Sequence, residues 1–113
     1  MAIKINIGNL MVRSPDGKIN VDQHPYYLSL KYNDKHLYRD FVKQSNRQNK
    51  KKSALWSEYN NLKDIIYNKG FIYNVDHPVI IKYKKGKWYA SHGRHRSCIL
   101  RYLYGENCIL VLT

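Results

Sequence analysis

Apolar and polar residues alternate along the first residues of the chain. Ile3, Ile5 and Ile7 are separated by Lys4 and Asn6, the period-two signature of a half-buried strand, here ending at Gly8. Leu10 to Arg13 either continues or pairs with it. In Ser14-Pro15-Asp16-Gly17, Pro pre-sets φ at the second turn position and Gly tolerates a positive φ, so a return strand at Ile19 to Val21 is expected. These 22 residues read as a small β unit. His24-Pro25 opens a new element in which Tyr26, Leu28, Leu30 and Tyr32 fit a helical turn and an extended segment equally well.

From Asp34 the spacing becomes helical. Leu37, Phe41 and Val42 share one face, predicting a helix over about 34–45. A second helix is expected over about 53–69. Ser53 is placed to cap it, Leu55, Tyr59, Leu62, Ile65 and Ile66 form its apolar face, and Lys69-Gly70 supplies the C-terminal signal. After His77-Pro78, the runs Val79 to Tyr83 and Lys87 to Ser91 flank Lys84-Lys85-Gly86 as a hairpin. A third helix follows Gly93, with Cys98, Ile99, Tyr102 and Leu103 on its apolar side and Gly105 at its end. Cys108 to Leu112 is almost wholly apolar, as in a strand covered on both sides. The expected fold class is α+β: one domain over 1–113, a mixed sheet with about three packed helices.

Composition narrows the function. A chain of 113 residues, 43% hydrophobic and 25% charged, buries a modest core without staples. Lys and Arg number 20 against eight Asp and Glu, and the formal charge of +12 favours polyanionic partners: nucleic acid, nucleotides or an acidic surface. Abundant Lys, Asn, Ile and Tyr also match A/T-rich coding. No run approaches the roughly 20 apolar residues of a membrane span, so no membrane partner is expected. Cys98 and Cys108 lack companions for a zinc site and read as reduced core residues of a cytoplasmic protein, in the host cytoplasm if its source is viral.

The candidate chemistry lies where the hairpin meets the third helix, at Ser91-His92-Gly93-Arg94-His95-Arg96-Ser97. A helix N-terminus presents unpaired N–H groups and the positive end of its dipole. Arginines in that first turn oppose the dipole, a cost that makes sense if an anion completes the site. Gly93 allows close backbone approach, Arg94 and Arg96 offer forked donors to phosphate oxygens, His95 a proton near neutrality, and Ser97 a hydroxyl. The competing reading has Arg96 capping or salt-bridging within the fold and His95 packed on the sheet.

These residues, with Leu62 to Gly70, His77-Pro78-Val79-Ile80-Ile81, Gly86-Lys87-Trp88-Tyr89 and Ile109-Leu110-Val111, resemble the ParB/sulfiredoxin-like superfamily, specifically the ParB N-terminal-like domain. The likeness is strongest over 62–112. It implies a phosphate or nucleotide site at His92, Gly93, Arg94, His95, Arg96 and Ser97, taking a nucleoside triphosphate with Mg²⁺ or another phosphorylated small molecule. Gly93, His95, Arg96 and Cys98 match a Gly-x-His-Arg variant of phage and bacterial relatives, but His92 replaces the Asp of that form. Arg94 stands where sulfiredoxin has its catalytic Cys, which argues against that chemistry. With the chain ending at Thr113, no site-specific DNA-reading domain is expected.

Two other classes stay open. One is a non-sequence-specific nucleic-acid-binding protein using Arg47, Lys50, Lys51, Lys52, Lys84, Lys85 and Lys87, with bases stacking on Trp88 or Tyr89; alternation sends one of those two rings inward. The other is a ParB-like nuclease or nucleotide hydrolase, for which the eight scattered acids form no metal-binding cluster in sequence. No catalytic residue or metal ligand is assigned, and homodimerisation is left open.

Overall fold

The computed structural model describes residues 3–14, 17–45, 56–69, 80–105 and 109–112. Pro15-Asp16, the basic run 47–52, Ser53, His77-Pro78 and Cys108 lie outside them. The fold is α+β, with four α-helices, a four-stranded mixed sheet and a separate two-stranded ribbon among the described residues.

The ribbon pairs β1 (Ile3–Asn6) with β6 (Ile109–Leu112), antiparallel, with Ile3 opposite Leu112. This differs from a self-contained N-terminal β unit, and an asparagine supplies the reason. The Asn6 side chain accepts a hydrogen bond from the Gly8 N–H at 2.9 Å and starts a 3-10 turn over Ile7–Asn9. That turn takes Ile7 out of the strand and buries it in the core. Asn20 does the same at Val21–Gln23, accepting from the Asp22 N–H, while its amide donates to the Gly8 carbonyl at 3.0 Å. Two Asn-capped turns thus end β1 and β3 and tie them together.

The main sheet runs β3 (Gly17–Asn20), β2 (Leu10–Ser14), β5 (Lys87–His92), β4 (Ile80–Lys84). Its outer pairs are antiparallel hairpins, and the central pair, β2 with β5, is parallel. The β4–β5 turn has Lys85 at φ 51° and Gly86 at φ 80°, two left-handed residues in succession, the geometry that matches hairpin twist.

Helix α1 (Pro25–Lys31) resolves the ambiguous segment as helical. His24 caps it, its Nδ1 accepting from the Tyr26 N–H at 3.0 Å, and Pro25 occupies the first helical position. Asn33, at φ 50°, turns the chain into α2 (Lys35–Ser45), where Asp34 accepts from the His36 N–H. α3 (Trp56–Lys69) and α4 (Arg94–Tyr104) complete the set, one helix more than the pattern alone predicts. Leu10, Val12 and Ala90 from the sheet join Tyr26, Tyr27, Leu30, Tyr38, Phe41, Tyr59, Ile66 and Cys98 to Leu100 from the helices in one buried cluster. Arg101 clamps α4 to the second turn, its Nε donating to Asp22 Oδ1 at 2.6 Å while its guanidinium lies over Tyr27.

Candidate anion site at the start of the fourth helix

The strand β5 ends at His92 and α4 begins at Arg94, so the joint between them is a single residue. Gly93 sits there at φ 87°, ψ 34°, a left-handed conformation that a side chain disfavours. As N-cap it offers no side-chain hydrogen bond, and the first turn carries no acid. Its carbonyl accepts from both the Ser97 N–H at 2.9 Å and the Ser97 hydroxyl at 2.8 Å, which commits Ser97 to the helix interior. The first-turn N–H groups of α4 therefore get no help from the residue that normally satisfies them.

Arg94 and His95 turn inward. The Arg94 guanidinium lies over Tyr26 (5.0 Å) and Phe41 (5.4 Å), and its Nη1 donates to the Arg13 carbonyl at 3.2 Å. The same carbonyl lies 3.0 Å from His24 Nε2. Because His24 Nδ1 accepts from Tyr26, the proton must be on Nε2, and the ring is neutral. Its pKa is lowered to about 3 by burial and by neighbouring Arg94, against the opposing pull of the Arg13 carbonyl.

His95 stacks on Tyr26 with ring centroids 4.3 Å apart, meets Tyr59 edge-on at 5.5 Å, and brings Nε2 to 3.3 Å from the Tyr38 hydroxyl. Burial first, then Arg94 and Arg96, lower its pKa to about 4. It is a neutral strut at physiological pH, packed against α1 and α3 rather than the sheet. The signal was in the spacing. His95 stands three and four residues before Cys98 and Ile99, on the apolar face of α4.

Arg96 is half-buried, and among the described residues it has no carboxylate partner; the two ion pairs there are Lys63–Asp64 and Arg101–Asp22. Burial lowers its pKa. The turn thus brings together Gly93, Arg94, His95, Arg96 and Ser97, with Arg94 anchored on aromatic rings, Arg96 without a carboxylate among the described residues and His92 on the last pair of the β4–β5 ladder, opposite Ile80. The aromatic floor of Tyr26, Tyr38, Phe41 and Tyr59, and His24 beside it, were not among the sequence-derived site residues. Those rings come from three helices that no local pattern places beside Gly93.

Cys98 is fully buried, and burial pushes its thiol up to about 12, an inert core position. Among the described residues no group of three His, Cys, Asp or Glu could hold a metal ion, and no helix is long and apolar enough to cross a membrane. Lys84, Lys85 and Lys87 are exposed at the β4–β5 turn, whereas Arg47, Lys50, Lys51 and Lys52 lie outside the described residues. No protein-family model, curated protein or solved structure matches the chain.

Proposed function

We propose that the chain binds a nucleotide or another phosphorylated small molecule at the N-terminus of α4, in the manner of the ParB-like domains its sequence resembles. The observation that carries this reading is the first turn of α4: a left-handed glycine, no side-chain cap, no acid, and an Arg96 without a carboxylate among the described residues. Backbone N–H groups and dipole receive the anion, Arg96 neutralises it, and Arg94 adds the donors not spent on the Arg13 carbonyl. His95 holds the turn against the aromatic floor; as a neutral ring it supplies no charge. Asp22, whose carboxylate is engaged by Arg101, brings no charge to oppose the ligand. A Mg²⁺ accompanying a triphosphate would take its ligands chiefly from phosphate oxygens and water.

Thermal unfolding in the presence of CTP, ATP, GTP, ADP and pyrophosphate, with and without Mg²⁺, tests this. A ligand near a hundred times its Kd stabilises by about 2.7 kcal/mol, a rise on the order of 10 °C for a domain of this size. Arg96→Ala should fold normally and lose most of that rise. The reading fails if no phosphorylated ligand shifts the Tm, or if Arg96→Ala shifts as far as the wild type.

A further inference from the structure

The outer face of the four-stranded sheet takes no part in the α4 site. Leu10, Val12 and Ala90 are buried in the core and Trp88 packs against it, so strand alternation sends their neighbours to the other side. The registers then place Lys82 opposite Tyr89, Lys84 opposite Lys87, and Lys18 opposite Arg13, all on that outer face. Lys18 confirms the arrangement directly. Its ammonium reaches across β2 to lie 4.3 Å from the centroid of the Tyr89 ring, so one π face of Tyr89 is turned outward. The five cations are exposed and Tyr89 is half-buried among them. No Asp or Glu occurs on any of the four strands.

We propose that this face binds single-stranded nucleic acid, with a base stacked on Tyr89 and the sugar-phosphate backbone running over the lysines. The charge pattern selects a polyanion: cations on all four strands, at the roughly 4.8 Å lateral spacing of a sheet, with no acid on those strands to neutralise them. The ring selects the class. A partly exposed aromatic ring in a basic surface gives an unpaired base a stacking partner, whereas a duplex keeps its base faces inside the helix and would meet the charge alone. An acidic membrane would meet the charges but offers no planar base to stack on the ring. When a base takes the outer π face, the Lys18 ammonium moves to the adjacent phosphate. Because every base has a π face, recognition is indifferent to sequence. None of the α4 side chains takes part, so this inference stands or falls separately from the phosphorylated-ligand reading.

Fluorescence anisotropy with labelled oligo-dT, oligo-U and a duplex of equal length, across a salt series, tests it. The single strands should bind more tightly than the duplex. Tyr89→Ala should lose about tenfold in affinity, and Tyr89→Phe, which keeps the ring, should retain it. Lys18→Gln with Lys82→Gln should flatten the slope of log K against log salt by about 1.4, two phosphates at about 0.7 each. Lys35→Gln with Lys43→Gln, an equal charge change at two exposed positions on α2, should leave the slope unchanged. Equal affinity for duplex and single strand, wild-type binding by Tyr89→Ala, or an unchanged slope in the double lysine variant overturns the proposal. Both lysines are exposed, so the slope decides the matter even if Tyr89→Ala fails to fold. Tyr89-independent binding to phosphatidylserine vesicles, with no preference for single strands, would overturn it in favour of a membrane surface.

Discussion

The two sides of this protein use the same residue types to opposite ends. Between the helices, Tyr26, Tyr38 and Tyr59 are buried, pack ring on ring with His24, His95, Phe41 and Trp56, and take Arg94 as a cation with its charge resting on π faces. Burial raises all three phenols and lowers both histidines, so every titrating ring there is neutral. On the outer sheet face the tyrosine is half-exposed and the cations stand in water. Where the rings are enclosed, aromatic and cationic groups build stability; where they are open, the same groups are free for a partner.

The sharpest way to break this contrast is to delete a ring from the enclosed side. Tyr38 is fully buried, stacks on Tyr59 at 4.7 Å and holds His95 through its hydroxyl, so Tyr38→Ala should cost about 3–5 kcal/mol in urea unfolding. A loss below about 1 kcal/mol would mean that the cluster is not the core it resembles. Acid is the next largest lever. His24 and His95 have folded pKa values of about 3 and about 4, below the unfolded value of 6.5, so the unfolded state takes up protons first. Stability should therefore be full above pH 6.5 and fall as the pH drops toward 4 and then 3, by roughly 3 kcal/mol for His95 and roughly 5 kcal/mol for His24. His95→Gln should halve the slope of that limb between about pH 6.5 and 4 and leave the part below pH 4, which belongs to His24. The smallest effect is expected outside. Lys18→Gln removes only an exposed cation over Tyr89 and should change stability by no more than about 0.5–1 kcal/mol, read in the same urea titration.

The strands and three of the helices were legible from apolar periodicity, which matches burial in β2, where Leu10 and Val12 are buried, and in α4. Ile80–Lys84 and Lys87–His92 form the expected hairpin, and Cys98 and Ile99 are core residues of α4. Helix α1 was not legible. Tyr26, Leu28, Leu30 and Tyr32 mimic a strand, while the buried set is Tyr26, Tyr27, Ser29 and Leu30, and the cap is a histidine rather than one of the usual short polar residues. The partner of β1 was hidden for a different reason. Ile3 and Leu112 meet across nearly the whole chain, and local patterning carries no information about such pairings. At the α4 turn, residue types pointed to the anion reading, but the direction of His95 depended on which helices would cover it.

One feature of the sheet has a kinetic consequence. Its two hairpins are joined by the parallel pairing of Leu10 with Trp88 and Met11 with Tyr89, segments far apart in sequence. Each hairpin can close locally and early, whereas the seam must wait for a long-range encounter whose loop-closure entropy is recovered only as the helices pack. Lys18 and Tyr89 come from opposite sides of that seam. The basic aromatic surface is therefore absent from either hairpin alone and comes into being at the step that commits the chain to its native topology.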